Sequence, residues 1–384
     1  MTDRPTRARA ARLQARSVAV GVALSVLAAC GSHRSADGTS APREEKVLNV
    51  YNWADYIGKH TISDFERTTG IRVVYDTYDS DTTLEARMMA GDSGYDVVST
   101  STDFFSRQIK AGVYRPLDRA QLSNWGNIDP HALAVTARSD PGNRYAVPYL
   151  HAINGFAYNA AMIKARMPDA PVDSLDMLFK PDLVRRFSDC GVTFLDSASD
   201  VLPLALNYLH LDPNSNRAED YAAAAQLLLK VRGYVRAFDS VEYMNDLANK
   251  ELCIAMSWSS DYATARARAR EAGTDVDLLF TVPREGANIT YDALLIPAGA
   301  PHPENAHRFI NYMLEPRVIA EVTNEIHYGN NNRAADPYVD PQIRNDPAIY
   351  PSPEVEARLY EEREANAALE RIRTRTWTLV KTGE

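Results

Sequence analysis

The feature that most constrains the fold is an alternation of strand-like and helix-like stretches that begins at residue 47. β-Rich runs at 47–53, 71–76 and 95–99 alternate with helical stretches at 62–69, 82–90 and 104–111. Such alternation indicates a parallel sheet with helices on its faces. The length of 384 residues suggests two domains or one large one. No polar linker interrupts the pattern, so two lobes would have to be joined by strands that cross between them.

The rest of the chain continues the pattern as far as the C-terminus. Extended runs are predicted at 145–149, 152–159, 192–196, 253–258, 276–283 and 291–297, and helices at 221–231 and 306–314. Residues 353–373 are charged and carry an imperfect apolar stripe, which predicts one long helix. The fold class predicted from these runs is α/β.

The N-terminal 45 residues indicate export. Five arginines precede a short apolar run at 17–26, which is too short to span a membrane and is typical of a secretory signal. Leu27-Ala28-Ala29-Cys30 resembles the lipobox of bacterial lipoproteins, which implies cleavage before Cys30 and a lipid on its thiol. Simple signal cleavage is the alternative. We expect a signal peptide at 1–29 and a flexible polar tether at 30–45.

The charge balance is acidic, which bears on the class of partner. The net charge is −9, and the leader before Cys30 contributes +4 through five arginines and one aspartate, so the remainder carries −13. This balance disfavours nucleic acid as a partner and would attract cations.

The usual signatures of catalysis and of cofactor binding are missing from the sequence. There is no His-Glu-x-x-His, Cys-x-x-Cys, glycine-rich phosphate loop or Gly-x-Ser-x-Gly elbow, and no histidines stand at metal-ligand spacing. We therefore expect no cofactor, no metal and no enzymatic activity. An exported hydrolase that uses two carboxylates, such as Asp196 and Asp200, is an alternative. A ferric-ion binder that uses tyrosines is another.

Aromatic and acidic residues follow several predicted strands. The run 253–258 ends on Trp258 and is followed by Asp261, and ligands of open α/β sheets bind at the carboxyl ends of strands. An aromatic face with a carboxylate suits an organic cation. A core tryptophan beside a helix-capping aspartate is the alternative. The other residues in such positions are Trp53, Asp55, Tyr56, Ser101, Asp103, Asp196, Asp200 and Asp292.

Several motifs, in one order, resemble the periplasmic polyamine-binding proteins of ABC importers. They are Val50-Tyr51-Asn52-Trp53-Ala54-Asp55-Tyr56-Ile57, Asp246-Leu247-Ala248-Asn249, Trp258-Ser259-Ser260-Asp261, Pro283-Arg284-Glu285-Gly286-Ala287 and Ile372-Arg373-Thr374-Arg375-Thr376-Trp377. The putrescine-binding branch fits best, and the resemblance runs from Leu48 to the C-terminus. It implies a two-lobed periplasmic binding protein fold of type II, with lobes joined by crossing strands. Lobe 1 would comprise 46–150 and 279–317, and lobe 2 would comprise 151–278 and 318–384.

The resemblance also implies roles for individual residues. Trp53 and Tyr56 would line the cleft with Asp55 beside them, and Ser101 would offer a hydroxyl to an amine. Trp258 would stack on the ligand chain, Asp261 and Asp292 would hold ammonium groups, and Tyr328 would complete the cleft. Four positions depart from the family pattern: Ala54 and Asp103 replace serines, Asp200 replaces a glutamate, and Thr290 replaces a phenylalanine. These changes loosen the fit to a short diamine, and the charge of Asp103 suits a longer polyamine.

Cysteine pairing and partners complete the expectations. Export permits a bond between Cys190 and Cys253, with two buried thiols as the alternative, and the resemblance implies that they form a disulfide.

The resemblance further implies a monomer in the periplasm, lipid-anchored to a bacterial membrane. This monomer would deliver polyamine to an ABC permease and its ATPase. A sensor of amines with the same fold is the competing hypothesis.

Overall fold

Strands from both halves of the chain are joined in one continuous hydrogen-bonded arrangement. The computed structural model describes residues 44–78 and 81–383, so the predicted signal peptide, Cys30 and the tether as far as residue 43 lie outside the described residues. The strands are β1 (Val47–Trp53), β2 (Arg72–Tyr78), β3 (Val97–Ser101), β4 (Val147–Asn159), β5 (Val192–Phe194), β6 (Ala237–Phe238), β7 (Ile254–Trp258), β8 (Leu278–Thr281), β9 (Ala287–Leu295), β10 (Gly329–Asn330) and β11 (Leu359–Tyr360). Their order is β2-β1-β3-β9-β4-β7-β5-β6, with β8 and β10 paired to β4 and β11 paired to β9.

Helices cover the faces of this arrangement. They are α1 (Thr61–Thr69), α2 (Asp81–Met89), α3 (Thr102–Lys110), α4 (Pro130–Thr136), α5 (Ala160–Arg166), α6 (Asp176–Phe179), α7 (Pro181–Val184), α8 (Ala198–Tyr208), α9 (Ala218–Arg232), α10 (Tyr243–Ala248), α11 (Ser259–Glu271), α12 (Pro303–Met313), α13 (Pro316–Ile326), α14 (Pro341–Arg344), α15 (Pro353–Glu356) and α16 (Ala367–Thr382). Short 3-10 helices occur at Arg119–Gln121, Trp125–Asn127, Arg185–Phe187 and Arg333–Tyr338. Within the described residues no helix is long and apolar enough to cross a membrane.

The first three strands form the predicted parallel unit. β1 pairs in parallel with β2 and with β3, and α1 and α2 make the crossovers. Leu48 and Val50 of β1 point into one core and Tyr51 into another, as the alternation of a strand requires. Helix α1 ends at Gly70, whose φ of 66° lies in the left-handed region that favours glycine.

One long strand crosses from the first half of the arrangement to the second. Residues 147–153 of β4 pair with β9, whereas residues 154–158 pair with β7. All 13 residues of β4 are buried. The sequence predicted two extended runs here, and the structure makes them one strand. The α/β fold with crossing strands is therefore confirmed, whereas the lobe boundaries at 150, 278 and 317 stay a prediction.

The predicted long helix over 353–373 is wrong. The segment contains the short helix α15, the two-residue strand β11, and then α16, which begins at Ala367 and runs to Thr382. β11 pairs with the start of β9, so tertiary pairing overrides the helical composition there. The side chain of Asn366 accepts hydrogen bonds from the backbone of Ala368 and Leu369, which sets the start of α16.

The predicted disulfide is present between Cys190 and Cys253. It links the residues that precede two neighbouring parallel strands, because Val192 of β5 pairs with Ile254 of β7.

The first described residue is held against a helix. Glu44 accepts hydrogen bonds from the backbone N–H groups of Glu304 and Asn305 at the start of α12. Residues from Glu44 onward form one compact unit.

Candidate functional site

A buried carboxyl group lies where β3 and β9 meet. Asp292 of β9 pairs across the strands with Ser101, the last residue of β3, and is 8% exposed. The Tyr56 hydroxyl donates a hydrogen bond of 2.5 Å to Oδ2 of Asp292. Among the described residues, no group donates a hydrogen bond to Oδ1. Burial raises the pKa of Asp292 to about 7, the Tyr56 hydrogen bond lowers it, and the charges of Asp103 and Asp200 raise it.

A second buried carboxyl group lies in the first turn of α11. Asp261 is 7% exposed and accepts hydrogen bonds from the Tyr243 hydroxyl at 2.7 Å and the Tyr328 hydroxyl at 3.3 Å. The N-terminal end of a helix favours a negative charge. Burial nevertheless raises the pKa of Asp261 to about 6, although the hydrogen bonds from both tyrosines act to lower it.

Two tyrosine rings connect the two carboxyl groups. The ring of Tyr56, which binds Asp292, contacts the ring of Tyr328, which binds Asp261, edge to face at 4.6 Å. Burial raises the pKa of both tyrosines well above 10, so both hydroxyls stay protonated and act as donors. The structure therefore brings Tyr56, Asp292, Tyr328 and Asp261 into one connected group.

A third group surrounds Asp200 in the first turn of α8. Oδ1 of Asp200 accepts hydrogen bonds from the Trp258 indole N–H at 3.2 Å, from Nδ2 of Asn154 at 2.5 Å and from Nδ2 of Asn288 at 3.3 Å. Oδ2 accepts from the Ser197 hydroxyl at 2.5 Å. Trp258 ends β7 directly opposite Asn154 of β4, at the point where β4 changes partner strands. Trp258 and Asp200, two residues of the predicted site, are thus in direct contact.

Asp103 lies in the first turn of α3, two residues after Ser101. It is 8% exposed, and burial raises its pKa, whereas a hydrogen bond from Ser101 and the charge of Arg373 lower it. The charge of Asp103 also raises the pKa of Asp292, which places the two carboxyl groups in one electrostatic environment.

Two predicted site residues stand apart from these hydrogen bonds. Trp53, at the end of β1, is half-buried and packs on Tyr78 with ring centroids 4.5 Å apart. Asp55 is exposed and has a φ of 54°, which is the left-handed conformation of a tight turn. Contacts of these two residues with a ligand stay a prediction.

Sequence reasoning missed several residues that contact the predicted ones. Asn154 carried a usable signal, because an amide in the middle of a buried strand needs a buried partner. Tyr243 and Asn288 carried none, since a tyrosine in a short helix and an asparagine at a strand start are ordinary.

The pairing of Asp196 with Asp200, on which the hydrolase alternative depends, is not supported. Asp196 is exposed and binds the Trp377 indole N–H at 3.0 Å and the Lys381 ammonium at 2.8 Å. Asp200 instead binds Trp258, Asn154, Asn288 and Ser197. Across residues 44–78 and 81–383, no three His, Cys, Asp or Glu side chains are arranged to hold a metal ion.

The arrangement can bind a cation with more than one charged centre. A buried charge is tolerated when it is paired, and a buried carboxylate gains most from an ammonium that donates hydrogen bonds to it. Asp261 and Asp292 have tyrosine hydroxyls as hydrogen-bond donors, and Trp258 provides a half-buried aromatic face nearby.

Comparison with known proteins shows the family. Residues 60–351 match the model of the bacterial extracellular solute-binding proteins. The chain is 44% identical to the putrescine-binding periplasmic protein PotF of Escherichia coli, over 89% of this chain and 93% of that protein. It is 42% identical to a putrescine/agmatine-binding protein of Pseudomonas aeruginosa, over 94% and 98%.

A solved structure agrees with the sequence relatives. The TpPotD lipoprotein of Treponema pallidum superposes with a TM-score of 0.75 at 26% identity, over 88% of this chain and 99% of that one. These relatives are binding proteins, which agrees with the prediction that the chain is not an enzyme. The chain therefore belongs to the family of bacterial extracellular solute-binding proteins.

Proposed function

We propose that the protein captures a polyamine between its two halves and delivers it to an ABC importer. The observation that carries the proposal is the pair of buried carboxyl groups, Asp261 and Asp292, joined through Tyr328 and Tyr56. An α,ω-diamine has a cation at each end and an apolar chain between them. The relatives named for binding putrescine or agmatine support the same class of ligand.

The physical basis is a match of charge and of apolar surface. Each ammonium would pair with a carboxylate, which offsets the cost of burying both charges. Each methylene placed against Trp258 would contribute about 0.8 kcal/mol. The spacing of the carboxyl groups would then discriminate among polyamines by length. Trp53, Tyr56 and Ser101 would line the same cleft, with Asp55 at its edge and with Asp103 and Asp200 adding negative charge.

The two halves would act as lobes that close on the ligand. We assign 46–150 with 279–317 to lobe 1, and 151–278 with 318–384 to lobe 2. The crossing of β4 from β9 to β7 supports two lobes that are hinged by continuous strands. A ligand that contacts both lobes favours the closed form by the difference between its affinities for the two forms.

In the cell, the protein would be a periplasmic monomer anchored through a lipid on Cys30. The lipobox-like sequence before Cys30 supports the anchor. The permease and ATPase of an importer would be its partners. A Cys30→Ala variant should leave the membrane fraction and appear in the soluble periplasmic extract, which immunoblotting of the two fractions would detect. Wild-type protein found only in the soluble extract would contradict the anchor.

The deciding experiment is calorimetric titration of the chain from Glu44 onward. Putrescine, cadaverine, spermidine and spermine are the ligands, and butylamine is the control with a single cation. At least one polyamine should bind at least about thirtyfold more tightly than butylamine, because a second buried ion pair contributes about 2–5 kcal/mol. If all four polyamines bind no better than butylamine, the proposed function is wrong.

A further inference from the structure

Two buried asparagines lie where the pairing of β4 with β9 ends. The last paired residues are Ile153 and Ile289, and the next residues in the same register are Asn154 and Asn288. Both asparagines are 1% exposed. Asn154 is also the first residue of β4 that pairs with β7, opposite Trp258. The two amide side chains therefore lie at the point where strands from the two halves of the sheet meet.

One carboxyl oxygen bridges the two asparagines. Nδ2 of Asn154 and Nδ2 of Asn288 both donate to Oδ1 of Asp200, at 2.5 and 3.3 Å. The Trp258 indole N–H donates to the same oxygen at 3.2 Å. A carboxylate oxygen has about two lone pairs, so three donors use all of its accepting capacity. Oδ1 of Asp200 is thus fully bound by protein groups, and Oδ2 already accepts from the Ser197 hydroxyl.

The asparagines make these hydrogen bonds at a cost. Within residues 44–78 and 81–383, Oδ1 of Asn154 and Oδ1 of Asn288 are buried and accept no hydrogen bond. A buried acceptor without a donor destabilises the fold, whereas an apolar side chain of similar size would leave no such acceptor. The stability of the fold therefore does not account for amides at these two positions.

The bonds to Asp200 restrict the orientation of the Trp258 ring. The indole N–H is bound to a carboxyl oxygen that two other donors also hold in place, so rotation of the ring would break a hydrogen bond. A ring that is held in one rotamer loses less conformational entropy when a ligand packs against it. The proposed function places the methylene chain of the polyamine against this ring.

We propose that Asn154 and Asn288 are positioning residues for ligand binding, which act through Asp200 to hold the Trp258 indole in the orientation that packs against the polyamine. This inference rests on the proposed function. Neither asparagine contacts the amine. Asp200 adds its negative charge to the cleft, but its Oδ1 serves the indole and the two amides and accepts no hydrogen bond from an ammonium group.

Two other roles for the asparagines give different results. A direct contact between the amine and the free Oδ1 atoms predicts that removal of either amide weakens binding whichever aromatic residue stands at position 258. A purely structural role predicts a lower melting temperature without any effect on the Trp258 indole. Only the positioning role predicts that the effect on binding depends on the indole N–H.

The first test is a double-mutant cycle, measured by calorimetric titration of the chain from Glu44 onward with putrescine and with spermidine. Asn288→Ala should raise the Kd of the tighter-binding amine at least about fivefold, because residues of one hydrogen-bonded network are coupled. In the Trp258→Phe background, which lacks the indole N–H, the same substitution should raise the Kd by less than about twofold. Asn154→Ala gives a second cycle if the other variant fails to fold.

The second test needs no ligand. The chain has four tryptophans, and the Trp258 indole resonance in a ¹H–¹⁵N spectrum is the one that is missing from Trp258→Phe. In Asn154→Ala and in Asn288→Ala, the Trp258 indole proton should exchange with water at least about tenfold faster than in the wild type, because the ring is no longer held in one orientation.

Asn305→Ala is the matched control. Asn305 is 4% exposed, and its Nδ2 donates to the backbone carbonyls of Glu45 and Val47. Its replacement should lower the melting temperature and leave both the Kd and the exchange of the Trp258 indole proton unchanged. Unchanged exchange in both test variants, or equal factors in the two backgrounds of the cycle, would overturn the inference and leave the proposed function standing. Wild-type protein that binds neither amine would overturn the proposed function and this inference with it.

Discussion

At the scale of single residues, the candidate site depends on two buried carboxyl groups, Asp261 and Asp292, that accept hydrogen bonds from tyrosine hydroxyls. A hydroxyl group compensates a buried carboxylate less completely than an ammonium does, because it brings no opposite charge. The raised pKa values of Asp261 and Asp292 express this shortfall. A cationic ligand would supply the missing opposite charge. The free energy gained by that pairing would be the source of affinity in the proposed site.

The first prediction concerns Asp261. Asp261→Asn should weaken polyamine binding by about 2–5 kcal/mol, because an ammonium would then be buried without its paired charge. The neutral amide keeps the shape of the residue, so the fold should be retained. Calorimetry with the tightest-binding polyamine measures the effect.

Asp189→Asn is the control for that prediction. Asp189 forms an exposed pair with Arg166 at 2.7 Å, so its neutralisation changes the net charge equally without touching the site. It should leave the isotherm as it is in the wild type. An unchanged isotherm for Asp261→Asn would remove Asp261 from the site.

The second prediction concerns Trp258. Trp258→Ala should weaken putrescine, cadaverine, spermidine and spermine by similar amounts of about 1–3 kcal/mol, because it removes an aromatic face and its cation–π contribution. Trp258→Phe keeps a ring but loses the N–H that binds Asp200, so it separates stacking from that hydrogen bond. If Trp258→Ala binds all four amines normally, the indole has only a structural role.

The residues that sequence reasoning found share one property, and those it missed share another. Trp258, Asp261 and Asp292 stand at or near predicted strand ends, where ligands of α/β sheets bind. Asn154, Asn288 and Tyr243 contribute only through partners that are distant in the chain, such as Asp200 and Asp261. Spacing along the chain carries no information about such contacts, so three-dimensional packing was needed to find them.

At the scale of elements, the sequence predicted strands well and failed at residues 359–366, which we call the C-terminal strap. A strand in a buried sheet is marked by a continuous β-rich run, as at 253–258. The strap is charged and has helical composition, yet β11 pairs with β9 and Asn366 starts α16 only after it. Long-range pairing decided the structure there, and local composition could not reveal it.

The third prediction concerns the element pair β5 and β7. Replacing both Cys190 and Cys253 by serine should lower the free energy of unfolding by about 4 kcal/mol, since the bond closes a loop with a sequence separation of 63 residues. Urea denaturation of oxidised wild type and of the variant measures the difference. Polyamine affinity at 25 °C should be retained, because neither cysteine contacts a site residue within the part of the chain that the structure describes. A stability loss below about 1 kcal/mol would contradict the chain-entropy argument.

At the scale of the whole molecule, the order of strands explains why distant segments meet. β3, β4, β7 and β9 come from widely separated parts of the chain, yet they are neighbours in the arrangement. Their ends and crossings bring Ser101, Asn154, Trp258 and Asp292 toward one region. The alternation of strands and helices was enough to predict the class of fold. The order of strands was not predicted, since alternation alone does not specify which strands pair.

The last prediction is the dependence of binding on pH. Asp261 and Asp292 have folded-state pKa values of about 6 and about 7, above the ordinary value of 3.8. The folded, ligand-free chain therefore keeps protons that the unfolded chain releases. Protonation of these two groups therefore adds to the free energy of unfolding of the ligand-free chain. This contribution is complete only at low pH and is lost as the pH rises from about 4 to 7. Ligand binding has the opposite sign, because only the ionised carboxylates pair with an ammonium.

Putrescine keeps both charges over this range, because alkylammonium groups lose their proton only near pH 10. Its Kd should therefore be at least about tenfold higher at pH 5 than at pH 8, and binding near pH 6.5 should release protons. Calorimetry at the two pH values, and at pH 6.5 in buffers of different ionisation enthalpy, measures both effects. Asp292→Asn should bind more weakly and show a smaller difference between pH 5 and pH 8, because one of the two titrating groups is gone. Equal affinity of the wild type at pH 5 and pH 8 would mean that neither carboxyl group pairs with the ligand.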